Sequence, residues 1–437
     1  MVGAGAQLAK QVHVVRVRGR IRPPGDKSIT HRALMVAGLS RATVELKGLL
    51  TAADAKSAAR VLRQLGVDVS PMQRGRSVSV RGRAWSRPGA TLDCGNSGTT
   101  ARLALGALAG HRFEARLSGD ASLRRRPMRR VTRPLVDMGA VVTEETGDCL
   151  PLSIRGGDLS SIRYESPVAS AQVKSAILLA GLTSNVPVTV VEPVRSRDHT
   201  ERMFQYLGFD LHIVGDEVVF QGACADWPRV DDLVLEIPGD ASSAAFLVAV
   251  ALLATDGELL IEHTGVNPTR TGFLAVLARM GALVTRENER RICGEPVADL
   301  LVRPSKLNGT EVGADEIPGL IDEVPVLAVL AARAVGETIF RSEGELRVKE
   351  SDRLTLIAQN LRAVGAAAEV QGEDLVVVGS DRPFCGKVET ARDHRLTMAF
   401  AVAGVAAPQS IELSESSSAA ISYPGFFQDL DRIAERD

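Results

Sequence analysis

The chain has 437 residues, enough for two or three cores, and its 45% hydrophobic and 24% charged content is that of an ordinary globular protein. A formal net charge of −1 and 4% aromatics argue against a general nucleic-acid or membrane-surface binder, leaving room for local basic clusters that hold small anions. Five scattered cysteines, with no CxxC and no zinc-type spacing, point to a reduced cytoplasmic chain with small buried thiols and no metal. No signal segment and no apolar run of membrane-spanning length is expected.

A short lead-in precedes an alternating strand from Val12 to Val17. The run from Pro23 to Arg32 then reads as a loop opening a helix, with Ser28 able to cap it and Ala33 to Ala37 continuing it. Lys27 stands out because the chain has only 8 lysines among its 52 Lys and Arg. A lysine kept in such a chain suits a site needing a compact, titratable ammonium near exposed helix N–H groups. An ATP-type phosphate loop needs Gly directly before the lysine; Asp26 stands there instead.

Further polar clusters recur at helix mouths. Cys94 to Arg102 is a Gly/Ser/Thr turn whose backbone can approach an anion. Leu123 to Arg130 carries five arginines, and Pro127 within it favours one or two facing a phosphate while the others are solvated. Ser170-Ala171-Gln172-Val173-Lys174 opens an apolar helix, and Ser196 to Glu201 does so one unit later, with His199 and Glu201 read as caps. Asp322-Glu323 interrupts an apolar stretch, a setting that perturbs an acid and suits proton transfer. The charged run Glu345 to Arg353 and the triplet Asp393-His394-Arg395 each precede another helix.

A repeat orders these clusters. Five amphipathic helices end in glycine (Gly66, Gly139, Gly208, Gly281 and Gly365) and continue into a β-branched run and a strand pair. Gly119-Asp120-Ala121-Ser122 is echoed by Gly239-Asp240-Ala241-Ser242. The period is too long for a common solenoid and implies two globular domains of three units each.

Taken together, the segments around Lys27, Gly98, Arg126, Gln172, Arg197, Lys349 and Arg395 resemble the enolpyruvyl transferases, most closely those acting on shikimate 3-phosphate, in family order over nearly the whole chain. The resemblance implies an α/β fold of two domains, each of three βαβαββ units forming an inverse α/β barrel, with the active site in the cleft between them. Residues 21–236 would form one domain, and residues 1–20 with 237–437 the other. It also implies a monomer without metal or organic cofactor. The implied reaction moves the enolpyruvyl group of phosphoenolpyruvate to the 5-hydroxyl of 3-phosphoshikimate and releases phosphate.

By the same resemblance, Lys27, Ser28, Arg32, Ser170, Ala171, Gln172, Arg197, Asp322 and Lys349 would hold 3-phosphoshikimate. Lys27, Asn96, Gly98, Arg126, Gln172, Arg353 and Arg395 would hold phosphoenolpyruvate. Asp322 would be the base for the 5-hydroxyl, and Glu350 with Lys27 would move the proton at the methylene carbon. Glyphosate, slightly longer than phosphoenolpyruvate, would fit beside Gly98. Ile421 stands where some members carry a lysine, so that contact is lost here. The cell-wall transferase acting on UDP-N-acetylglucosamine is the nearer alternative, but it usually has a cysteine in the loop at Arg124 to Arg126. An RNA-end-processing repeat protein fits the arginine run yet leaves Asp322 and Glu350 without a role.

Overall fold

The computed structural model describes residues 15–145, 147–222, 233–342, 344–405 and 411–436. The front of the strand expected from Val12, and Cys224, lie outside them.

One helix of each repeat is apolar on every side, and such a helix must be enclosed. These inner helices are α1 (Lys27–Leu39), α2 (Gly98–Leu108), α3 (Ala171–Ser184), α4 (Ala241–Leu253), α5 (Val324–Ala331) and α6 (His394–Val405). All residues of α5 and nearly all of α4 are buried. The amphipathic helices of the repeat lie outside them and end where the sequence places the glycines. Gly66, Gly139, Gly208, Gly281 and Gly365 all have φ between 79° and 113°, the left-handed region that stops a helix.

The unit closes as a four-stranded sheet. Strand Ile162–Glu165 leads into α3, Val188–Val191 into the outer helix His199–Tyr206, and the antiparallel pair Leu211–Val214 and Glu217–Phe220 completes it. The first two strands pair in parallel and the second pairs antiparallel to the last. This is the βαβαββ order, and the other four-stranded sheets repeat it.

Two apolar cores result. One draws on residues from Ile29 to Ile237, the other on Val15 to Ile21 and Ala241 to Ala434. The strands at the crossings are exchanged. Arg20–Ile21 precedes α1 yet pairs with Leu260–Ile261 in the second core's sheet, and Leu233–Glu236 precedes α4 yet pairs with Val44–Lys47 in the first.

The two crossing segments grip each other. The Asp26 N–H donates to the Pro238 carbonyl and the Asp240 N–H to the Pro24 carbonyl, each at 2.8 Å. A side chain at Gly25 would place its Cβ 1.9 Å from the Gly48 carbonyl oxygen, so only glycine passes there. Asp26 caps α1 through the Ile29 N–H, and Asp240 caps α4 through the Ser243 N–H. Arg270, buried between them, donates to Asp26 at 2.9 Å and to Asp240 at 3.4 Å. Two expectations are thereby corrected. Ser28 is not the cap but the second residue of α1. The structural counterpart of Gly239-Asp240 is Gly25-Asp26; Gly119-Asp120 instead leads into a single turn of 3₁₀ helix, Leu123–Arg125.

Candidate active site

Every inner helix presents its first residues, or those just before them, to one cleft of about 1110 Å³ between the two cores. Helix N-termini carry unsatisfied N–H groups and partial positive charge, so their convergence favours anions. Lys27, Ser28, Arg32, Asn96, Gly98, Arg126, Ser170, Ala171, Gln172 and Arg197 line the cleft from the first half, and Asp322, Lys349, Glu350, Arg353 and Arg395 from the second.

On the first wall, Lys27 Nζ lies 3.4 Å from Asp54. Arg32 is buried and donates to the Thr200 and Ser175 hydroxyls, each at 2.7 Å, and to the Ser28 carbonyl at 3.0 Å. Burial lowers its pKa to about 10, which leaves it cationic and in want of an anion. Gln172 accepts from Arg102 and donates to Thr99, both at 3.0 Å. Asn96 donates to Asp120 at 2.6 Å and accepts from Arg126 at 3.3 Å. Ser97 caps α2 and Ser170 caps α3.

The second wall is built on Arg353, whose guanidinium is 1% exposed and donates to Asp393 at 2.8 Å, Asp322 at 3.1 Å and Glu350 at 2.7 Å. Asp322 also receives Arg197 at 2.8 Å and lies 3.9 Å from Arg395. Burial alone would raise the Asp322 pKa, but Arg395, Arg197 and Arg353 outweigh it and hold the carboxyl well below its usual range. Glu350 behaves alike: burial opposes ionisation, and the cations Arg353, Lys27 and Arg126 overcome it. Lys349 lines the cleft with much of its side chain exposed.

Arg197 meets Asp322 and Arg126 approaches Glu350, the latter at 3.9 Å, so the cleft is spanned by pairs of opposite charge. Sequence reasoning missed two of its members: His394 sits inside a motif singled out for its neighbours, whereas Asp54 carries no local signal and is found only by its approach to Lys27. His394 is buried, and burial with Lys27 and Arg395 nearby lowers its pKa to about 3, so its imidazole is neutral. The reading of His199 and Glu201 as caps is corrected: His199 pairs with Glu295 at 2.8 Å and Glu201 with Lys174 at 2.7 Å, all four buried. The thiol reading is corrected too. Of the described cysteines only Cys94 is buried; Cys149 and Cys293 are half-buried and Cys385 is exposed, because all three fall in connections between strands or helices. Among the described residues no group of His, Cys, Asp and Glu could hold a metal ion, and no helix is long and apolar enough to cross a membrane.

The family model for EPSP synthase (3-phosphoshikimate 1-carboxyvinyltransferase) matches residues 12–430. The chain is 46% identical over 424 residues to 3-phosphoshikimate 1-carboxyvinyltransferase of Desulfitobacterium hafniense, covering 96% of each chain. It is 46% identical to that of Gloeobacter violaceus, covering 96% of this chain and 98% of the other. The solved EPSP synthase of Acinetobacter baumannii superposes with a TM-score of 0.86 at 36% identity, over 97% of this chain and 99% of that one. The enolpyruvyl transferase NikO of Streptomyces tendae, at 20% identity and a TM-score of 0.77, shares the fold over 97% of this chain and 98% of its own. With sequence and fold in agreement over nearly the full length, the chain belongs to the EPSP synthase (3-phosphoshikimate 1-carboxyvinyltransferase) family.

Proposed function

We propose that the cleft transfers the enolpyruvyl group of phosphoenolpyruvate to the 5-hydroxyl of 3-phosphoshikimate, releasing phosphate, and that the residues named from the sequence perform it. The observation that carries this reading is the gathering of Lys27, Arg32, Arg126, Arg197, Arg353 and Arg395 around Asp322 and Glu350 at converging helix N-termini. Both substrates are phosphate or carboxylate anions, for which arginine forks and helix mouths are complementary.

Lys27, Ser28, Arg32, Ser170, Ala171, Gln172, Arg197, Asp322 and Lys349 hold 3-phosphoshikimate, while Lys27, Asn96, Gly98, Arg126, Gln172, Arg353 and Arg395 hold phosphoenolpyruvate. Asp322, ionised in the cleft, takes the proton of the 5-hydroxyl as its oxygen bonds to C2 of phosphoenolpyruvate. The methylene carbon gains a proton from Glu350 in the addition. In the elimination it returns one while the C–O bond to phosphate breaks, and Lys27 assists both. Glu350 is ionised when Arg353 and Arg126 face it alone. Phosphoenolpyruvate on those arginines offsets their charge and raises the carboxyl's proton affinity. The two cores correspond to two domains, divided near residues 21 and 236, and the protein works as a cytoplasmic monomer.

Phosphate release from phosphoenolpyruvate, with each acceptor offered separately, tests the reaction. Release is expected with 3-phosphoshikimate and not with UDP-N-acetylglucosamine. Asp322→Asn and Glu350→Gln are expected to keep the fold and lose roughly two to four orders of magnitude in turnover, the range of lost general acid–base catalysis.

A further inference from the structure

His31 is fully buried on α1 and lies outside the set of cleft-lining residues. Its Nδ1 is 2.7 Å from the Lys27 carbonyl, and its Nε2 is 3.1 Å from Ser97 Oγ. Ser97 in turn caps α2, accepting from the Thr100 N–H at 3.1 Å, and Thr100 Oγ1 lies 2.8 Å from Ser97 Oγ. The ring thus bridges the first turn of α1, which carries Lys27, and the turn that carries Gly98.

Counting donors determines where the protons lie. A carbonyl only accepts, so Nδ1 carries the proton facing Lys27. Ser97 Oγ accepts the Thr100 N–H and the Thr100 hydroxyl, and its own hydrogen is then free to donate to an unprotonated Nε2. A proton on Nε2 would reverse the chain. Ser97 would have to donate to Thr100, and Thr100 to the Asp54 carbonyl at 3.4 Å, beyond the usual O–H···O range. The charged groups facing the ring are Asp54 from the outer helix Ala53–Gln64 and Lys27 and Arg32 from α1 itself. Burial comes first among the influences on the ring, and with those two cations it outweighs Asp54 and favours the neutral form.

We infer that His31 is a positioning residue: a neutral imidazole with its proton on Nδ1, it ties the first turn of α1 to the capped start of α2 and so holds Lys27 in register with the Gly98 turn. The inference rests on the reading above that both turns hold phosphoenolpyruvate. The register matters most for that ligand, which would touch both turns, and less for 3-phosphoshikimate, which would also have α3 and Arg197.

Steady-state kinetics of His31→Leu, Ser97→Ala and the double variant test it. Each single change is expected to raise KM for phosphoenolpyruvate about tenfold, as for one lost buried hydrogen bond, with KM for 3-phosphoshikimate little moved. The double variant should be no worse than Ser97→Ala, which already removes the bridge together with the cap of α2 and leaves His31 nothing to tie. His31→Asn, which keeps an amide donor for the Lys27 carbonyl, should fall between wild type and His31→Leu. Parallel rises in both KM values, or additive effects, would overturn the inference. If the variants do not fold, nitrogen-15 NMR of labelled histidine in the wild-type protein decides: an Nδ1–H tautomer supports the assignment and an Nε2–H tautomer or imidazolium refutes it. Lys27→Met separates the two readings. A silent Lys27→Met removes the parent reading, whereas an impaired Lys27→Met beside a silent His31→Leu removes this one alone.

Discussion

Gly98 shows how a single missing carbon shapes the cleft. A Cβ built there would lie 2.6 Å from Arg102 Nη1 and 3.6 Å from Arg126 Nη1, so a methyl acts first on Arg102. That guanidinium is held by Gln172 and by the Pro127 carbonyl, both at 3.0 Å, and has little room to yield. Gly98→Ala is therefore expected to shift Arg102 and Gln172 into the space beside phosphoenolpyruvate. The inhibition constant of glyphosate should rise by roughly tenfold or more, the cost of overpacking a tight site. The KM for phosphoenolpyruvate should rise less, because the shorter ligand leaves more clearance. Equal changes in the two constants would contradict the steric account.

His394 gives a second prediction at this scale. Its folded pKa of about 3 lies below the ordinary 6.5, so between those values the unfolded chain binds a proton that the folded chain does not. Stability is then complete above about pH 6.5 and falls with acidity by up to about 1.4 kcal/mol per pH unit from this group. Urea unfolding across pH 4 to 6.5 should show a shallower slope in His394→Gln than in wild type.

At the scale of elements, Lys174 joins α3 to its neighbours. It is 2% exposed and lies 2.6 Å from Glu192 and 2.7 Å from Glu201. Glu192 also accepts from the Ser170 N–H at 3.1 Å and from the Ser196 hydroxyl at 2.6 Å, so one carboxylate ties the mouth of α3 to the loop before Arg197. A single ammonium cannot fully compensate two buried carboxylates. Burial accordingly pushes the Glu201 pKa up, while the two carboxylates outweigh burial at Lys174 and raise its pKa as well. Lys174→Met leaves both acids unpaired and should cost about 3–5 kcal/mol in urea unfolding. The deficit should be smaller at pH 5 than at pH 8, because the folded variant then gains the proton its carboxylates need.

For the molecule as a whole, the two walls of the cleft present opposite charges to each other where they meet. Arg197 and Arg126 face Asp322 and Glu350 across the cleft, so the ligand-free halves attract each other at these points. Removing such a pair should open the protein. Asp322→Asn without ligand is expected to have a larger radius of gyration by small-angle scattering than wild type. Both should converge on a compact form with 3-phosphoshikimate, whose anionic groups engage both walls. An unchanged radius in the free variant would count against this account of closure.

The repeat was legible in the chain because helix-ending glycines and apolar runs are local signals: each of the five glycines adopts the positive φ that its place demanded. The helix mouths were legible for the same reason, and they bring the residues named from the sequence to one cleft. Distance-dependent features were not. Strand exchange between the halves pairs Arg20–Ile21 with Leu260–Ile261, and no local pattern encodes a partner so remote. The Gly-Asp echo was real but assigned to the wrong copy, since only the crossing contact between Asp26 and Pro238 identifies the true pair. His199, Glu201 and Lys174 are polar residues that look exposed in sequence, and only the packing that buries them supplies their partners. Backbone propensity and periodicity are properties of neighbouring residues. Charge pairing, burial and the protonation states that follow from them belong to residues that meet only when the chain has folded.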